Sequence, residues 1–397
     1  MKKGKEEALM LSGERFAAVY HIMGSAEEAR AAAGDICIEQ TVEYPEDLVA
    51  RRDIREQIFG KVASLKEIAS GLYEAAVEFA VEVAGSELTQ LLNVLFGNIS
   101  LKPGIRLTGI HLSEGLTSLY KGPRFGRRGL RRLLNVPRRP LLCTALKPMG
   151  LSPKKLAALA YRFALGGIDM IKDDHGLVDQ AFCPFAERVS HCAEAVTRAN
   201  RETGRPSLYV ANVTAPVDQI FERARRAKEA GAGAIMAAPG LVGLDTMRKL
   251  ADDDRLSLPI LSHPALQGSF TVHPGAGMAH GVIYGRLNRL GGADACIFPN
   301  HGGRFPFTAA DCRDLVEGTG CDMGPINPIF PVPAGGMRLE RVGEMVDFYG
   351  PEVILLIGGD LHRHGPDLSE NCRKFLHLVE KAVNGTAAGG KENGNKR

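Results

Sequence analysis

The run Lys172-Asp173-Asp174-His175 closes an apolar stretch, Gly167 to Ile171, and holds the residue types in this chain best suited to chemistry. On an extended strand side chains alternate between faces, so Lys172 and Asp174 share a side while Asp173 points away. His175 follows where the strand ends, and three groups can converge on one point. A lysine ammonium is no ligand for a hard cation. Deprotonated in a partly desolvated site, it can add carbon dioxide and become a carbamate, an anion with two oxygens. The same spacing equally suits a structural ion network of one lysine between two aspartates, and spacing alone does not choose.

Other apolar runs also end in polar residues: Leu146-Lys147-Pro148, then Asn212, Ser262-His263 and Asn300-His301. Two further runs end in glycine pairs, Ala334-Gly335-Gly336 and Gly358-Gly359-Asp360. Such pairs leave backbone N–H groups unscreened and suit a phosphate, though tight turns account for them as well. His263 reads as a ligand, a phosphate donor or a buried polar residue. His362 and His364 read as loop residues near the glycine pairs.

These groups meet only if the strands that carry them are neighbours. Eight short apolar strands alternate with helices, at Leu141 to Leu146, Gly167 to Ile171, Ser207 to Val213, Ala234 to Ala238, Pro259 to Ser262, Ala295 to Phe298, Pro328 to Val332 and Val353 to Ile357. Eight βα units in succession predict a (β/α)8 TIM barrel over residues 141–382, whose chemistry sits at the C-terminal strand ends. An open doubly wound sheet is the alternative. The first crossover helix starts at Ser152-Pro153, buries Leu156, Leu159, Ala160, Phe163 and Ala164, and stops at Gly166-Gly167.

Residues 1–120 mix strand-like runs (Ala17 to Ile22, Ile36 to Val42, Tyr73 to Val81, Leu107 to Leu112) with a helical one near Leu88 to Phe96, predicting an α+β, ferredoxin-like domain. Residues 121–140 carry Lys121, Arg124, Arg127, Arg128, Arg131, Arg132, Arg138 and Arg139 and read as a solvated basic connector. Residues 383–397, rich in glycine and charge, read as a disordered tail.

A net charge of +3 over 397 residues gives no reason to expect nucleic acid or membrane as a partner. Neither a signal peptide nor a membrane span is apparent. The eight cysteines form no C-x-x-C pair, and Cys143 and Cys296 lie in strand-like runs, which suits a reducing cytoplasm.

Lys147-Pro148-Met149-Gly150-Leu151-Ser152-Pro153 followed by Gly166-Gly167-Ile168-Asp169-Met170-Ile171-Lys172-Asp173-Asp174 resembles the paired signature of the RuBisCO large-chain superfamily. The resemblance continues through Gly277-Met278, Leu290 to Asp294 and both glycine pairs, and back to Glu39 and the Asn93 to Asn98 segment. It implies that Lys172 carries a carbamate, that Asp174 binds Mg2+, that Lys147 moves protons, and that His263 is an active-site histidine. It also implies that Gly335, Gly336, Gly358 and Gly359 bind phosphate, and that two chains pair, in a homodimer or an assembly of dimers, so that Glu39 and Asn98 serve the neighbour's site.

The departures bear on function. His175 stands where the carboxylase has a third, carboxylate ligand, which predicts a weaker Mg2+ site, one that also takes Mn2+, or an acid–base role for His175. The loop Asn300-His301-Gly302-Gly303-Arg304-Phe305 lacks the carboxylase lysine and leaves Arg304 as a substrate contact. Pro264 replaces an arginine, and Ala334 a serine. The chain therefore resembles a form IV, RuBisCO-like protein that does not fix carbon dioxide. By resemblance to a non-photosynthetic branch, decarboxylation or transcarboxylation and hydrolysis of a 3-keto sugar acid phosphate, such as 3-oxo-isoapionate 4-phosphate, is the first expectation. An isomerase or enolase of a methylthioribulose-type phosphate is the second, and a non-catalytic regulatory barrel the third. Enolase relatives keep the glutamate that His175 replaces, which counts against an enolase.

Overall fold

The computed structural model describes residues 8–392, with side chains described through residue 384. Its first unit is a four-stranded antiparallel sheet, β1 (Arg15–Met23), β2 (Lys61–Ala69), β3 (Leu72–Ala80) and β4 (Ile105–His111), in the order β4-β1-β3-β2. Helix α1 (Ala26–Glu39) and helix α2 (Leu88–Phe96) join the strands into the β-α-β-β-α-β path of a ferredoxin-like domain. Alternation along β1 buries Phe16, Ala18, Tyr20 and Ile22, which pack in one cluster with Ala29, Ala33 and Ile36 of α1 and Leu88, Leu91 and Leu95 of α2. The strand expected at Ile36 to Val42 is the end of α1. Its start is fixed by a capping box, in which Ser25 accepts from the Glu28 N–H and Glu28 accepts from the Ser25 N–H, so the apolar residues follow helical spacing instead.

The second unit is an eight-stranded parallel sheet made of β5 (Leu141–Leu146), β6 (Met170–Asp173), β7 (Leu208–Asn212), β8 (Ala234–Ala237), β9 (Ile260–Ser262), β11 (Ala295–Pro299), β12 (Phe330–Ala334) and β13 (Ile354–Leu356). The short β10 (Gly277–Met278) instead extends the first sheet beside β4 and ties the two units together. All eight expected barrel strands are present, and the open-sheet alternative falls because β13 returns to pair with β5. Only β12 and β13 lack a hydrogen-bonded ladder. The Phe330 N–H donates toward β11, so parity turns Pro331 and Pro333 toward β13, and neither has an N–H to give.

The basic segment is not a solvated connector. Its middle is a helix, α3 (Gly126–Leu134), whose Leu130 and Leu134 join Leu141, Cys143, Met170, Leu261 and Ile297 in the barrel's interior cluster. It closes the N-terminal end of the barrel. Arg127 donates to Ile329 O at 2.7 Å, and Arg131 to Pro351 O and the Glu352 carboxylate, while Arg128, Arg132 and Arg138 stay exposed. Apolar residues four apart placed one face of the run inside, and the arginines between them cap carbonyls at the barrel floor. The expected tail overlaps the last helix, Leu368–Glu392, anchored by buried Leu368, Cys372, Phe375 and Val379; residues 393–397 lie outside the described residues. No helix among the described residues is long and apolar enough to cross a membrane. All eight cysteines are free.

Candidate active site

Parity along the barrel strands builds the site. Inward positions run Cys143 and Ala145 on β5 to Lys147 just beyond it, and Met170 and Lys172 on β6 to Asp174 just beyond it; their lower members fill the interior cluster and their upper members line a cavity of about 1120 Å³ at the C-terminal strand ends. His263 beyond β9, Ala334 beyond Val332, and Gly358 beyond Leu356 follow the same alternation into it. The cavity thus brings together Lys147, Lys172, Asp174, His175, His263, Arg304 and all four expected glycines. Glu39 and Asn98 do not line it. The Asn98 amide donates to Glu39 at 2.9 Å and to Glu43 at 3.1 Å on the surface of the first domain.

Asp173 does point away, into a fully buried network. It accepts from Arg188 Nε at 3.1 Å, Tyr209 OH at 2.9 Å and the Asn212 N–H at 3.0 Å. The Asn212 amide then donates to His175 O and Leu177 O, and Arg188 to Leu177 O, which fixes the loop that carries Asp174 and His175. Asn212, legible only as a polar strand end, is therefore a support for the site.

Inside the cavity Lys147 Nζ lies 2.8 Å from Asp174 Oδ1, and His175 Nδ1 lies 3.5 Å from the same oxygen. Burial pushes the Asp174 carboxyl up, but hydrogen bonds from His175 and Lys147, with the Lys172 charge, outweigh it and hold the group well below the usual carboxylate range. Lys172 is 3% exposed and donates to Asp173 O at 2.8 Å; burial lowers its pKa, with Cys143 and Asp174 opposing. The His175 and His263 rings stack, 4.5 Å apart and 9° from parallel. Burial, then the charges of Lys172 and His175, lower the His263 pKa to about 2. The Ala265 N–H donates to His263 Nδ1 at 3.2 Å, so the neutral ring carries its proton on Nε2.

The donor set fits a divalent cation. Asp174 Oδ2 accepts from none of the described residues, His175 is half exposed, and a buried lysine biased toward its neutral form is the state from which a carbamate forms. Across the mouth, a Cβ on Gly358 or Gly359 would meet no protein atom within 4 Å, so the space they leave faces the cavity. Gly335 and Gly336 have φ of +80° and +97°, and a side chain on Gly303 would strike Gly335 O.

The wall formed by Pro264, Val272, Tyr284 and Phe307 was not legible in the sequence. Tyr284 reaches it from a π-helix, Gly281–Leu287, and its ring lies 6.3 Å from that of Phe307. A π-turn widens a helix locally and marks functional sites often, but has no simple sequence sign.

Residues 127–303 match the family described as ribulose bisphosphate carboxylase large chain, catalytic domain. Along 366 residues the chain is 40% identical to ribulose bisphosphate carboxylase-like protein 1 of Rhodopseudomonas palustris, covering 92% of this chain and 98% of that one. The chain belongs to the RuBisCO large-chain family, in its RuBisCO-like branch. This RuBisCO-like chain is also 38% identical, over 93% of its length and 97% of the relative's, to the 5-methylthioribulose-1-phosphate isomerase of Rhodospirillum rubrum. Its fold matches a crystal structure of a RuBisCO-like protein from Rhodopseudomonas palustris with a TM-score of 0.83 at 38% identity, covering 92% and 98% of the two chains. An isomerase name among the relatives supports the second of the functional expectations over the decarboxylase, for which the comparisons offer no support.

Proposed function

We propose that this RuBisCO-like chain is a sugar-phosphate isomerase that moves a proton between neighbouring carbons of 5-methylthioribulose 1-phosphate or a thio-sugar phosphate of the same shape. The observation that carries this reading is the polarity of the cavity. Glycine amides and arginines gather beyond β11, β12 and β13, together with Glu340 and Asp360, whereas Pro264, Val272 and Tyr284, which follow β9, and Phe307 at the end of the β11 loop give the cavity an apolar wall. Such a cavity suits one phosphate and one apolar tail. A bisphosphate would leave a dianion against Phe307 and Val272 without a partner.

The reacting carbons of a ligand so placed lie over Lys147, Lys172, Asp174 and His175. A divalent cation held by Asp174, His175 and a Lys172 carbamate, Mg2+ or Mn2+, would draw electron density from adjacent carbonyl and hydroxyl oxygens. Lys147 Nζ is placed to hold or deliver the proton. His263, neutral and protonated on Nε2, donates a hydrogen bond to a substrate oxygen and cannot take a proton at Nδ1, where the Ala265 N–H already sits. The closed floor beneath Lys172 excludes water from one side of the reacting carbons.

Pairing of chains is part of the proposal. Met149, Phe182, Val217, Leu241, Leu266 and Phe270 are exposed on loops and short helices that follow barrel strands at the cavity end, an apolar rim that a second copy would cover. Incubation with 5-methylthioribulose 1-phosphate and Mg2+ or Mn2+ in deuterated buffer, followed by NMR, tests the activity. An isomeric sugar phosphate with deuterium at the reacting carbon, lost in Lys172→Ala, is expected. Turnover of a 2,3-diketo phosphate instead would mark an enolase, and carbon dioxide released from a keto acid phosphate would restore the decarboxylase.

A further inference from the structure

We propose that Arg338 and Arg363 join Arg304 in a guanidinium clamp that closes over the glycine loops onto the substrate's phosphate. The inference rests on reading this cavity as a sugar-phosphate site, and it adds the side chains that fix which end of the substrate goes where.

Three observations carry it. The arginines come from three successive loops, after β11, β12 and β13, and all three line the cavity beside Gly335, Gly336, Gly358 and Gly359. Among the described residues none of the three has a carboxylate within ion-pair distance, while Arg341, a few residues on, is held by both oxygens of Glu344 at 2.8 and 2.6 Å. The nearby acids are already engaged: His364 Nε2 lies 3.0 Å from Asp360 and 3.9 Å from Glu340, and the Leu339 N–H donates to Asp360 at 2.9 Å. Three guanidiniums outside any ion pair, around a concave, amide-lined mouth, suit a phosphate; Asp360, in the same lining, feels the charge of Arg338 without pairing with it.

Planar guanidinium forks match phosphate oxygens two at a time, and exposed arms from different loops can close on the ligand after it enters. The Arg304 guanidinium rests over the Phe305 ring at 5.3 Å, a parked position from which it can swing without breaking an ion pair. Glycines at 302, 303, 335 and 336 let the two loops approach closely, since a Cβ on Gly336 would come within 3.0 Å of Gly303 Cα. With the phosphate held there, Val272, Tyr284 and Phe307 offer the apolar tail a matching wall, and the proton transfer is aimed at one pair of carbons.

Calorimetric binding of 2-phosphoglycolate, which has the phosphate and no tail, tests the clamp in the full-length protein. Arg338→Gln and Arg363→Gln should each weaken it about tenfold, the loss of roughly one charge-assisted hydrogen bond, with one probe bound per chain. Arg→Lys at either position should fall between, because charge remains while the fork is lost. All these side chains are exposed, so unchanged thermal unfolding is expected and separates binding from folding. Unaltered affinity in the double Gln variant, or two probes per chain, overturns the clamp. The probe needs no turnover. Inactive protein that binds it through these arginines would refute the isomerase and leave the clamp, whereas active enzyme whose affinity ignores both arginines would do the reverse.

Discussion

Lys172 is a buried amine whose hydrogen-bond partner among the described residues is a carbonyl oxygen, and that environment disfavours its charge. Its folded pKa lies below the unfolded value, so the native state holds fewer protons than the unfolded one between those two values and gains stability as pH rises through that window. Below the folded pKa the charge is buried at a cost. Lys172→Met should therefore be as stable as the parent or more so, by about 1 kcal/mol or more at neutral pH, and should lose the parent's gain in stability toward about pH 10. Urea unfolding in carbon dioxide-free buffer across that range checks it; a Met variant less stable at every pH would mean that the ammonium is held by an ion network after all. Alternation made Lys172, Asp174 and Lys147 legible in the sequence, because polar residues two apart at the end of an apolar strand must face one shared space above the core. Arg338, Arg363, Tyr284 and Phe307 gave no such sign. Ordinary loop and helix residues acquire a role only when distant segments place them on one cavity.

The elements were legible where hydrophobic pattern and turn chemistry agreed, as in every barrel strand and in the helix Pro153–Leu165. They were misread where charge or composition masked spacing. The arginine run drew attention from Leu130 and Leu134, and the apolar end of α1 outweighed its capping box. Beside the Arg127 and Arg131 bonds, one buried carboxylate ties the start of α3 to the barrel: Asp294 accepts from the Phe125 and Gly126 N–H groups at 2.7 Å each and from the Ile260 N–H at 2.9 Å. Asp294→Ala leaves three buried donors without partners and should cost about 3 kcal/mol, with the floor of the barrel loosened. Denaturant unfolding gives the magnitude, and hydrogen exchange should show faster exchange at Phe125, Gly126 and Ile260 than in the parent. A loss under about 1 kcal/mol would mean that the leucines and arginines of α3 hold it without help from Asp294.

At the scale of the whole molecule, one site residue pair stays apart from the cavity it is expected to serve. Glu39 and Asn98 bond to each other on the first domain, and they do not line the cavity of their own chain. The apolar rim at the cavity end of the barrel is exposed, and a rim of that kind suits an interaction surface. Both features are met if two copies pair about a twofold axis, each first domain lying over the other's barrel. Glu39→Gln should then lower activity without lowering unfolding temperature, because Glu39 is a surface residue. Mixing decides whether it acts across the interface. In a dimer of Lys172→Ala with Glu39→Gln, one site carries both defects and the other neither, so random re-pairing of equal amounts should give parental-type sites worth about a quarter of parental activity, on top of what the Glu39→Gln protein retains. Sedimentation should show the dimer before and after mixing. Recovery near zero from a mixture shown to contain mixed dimers would place Glu39 outside the neighbour's site.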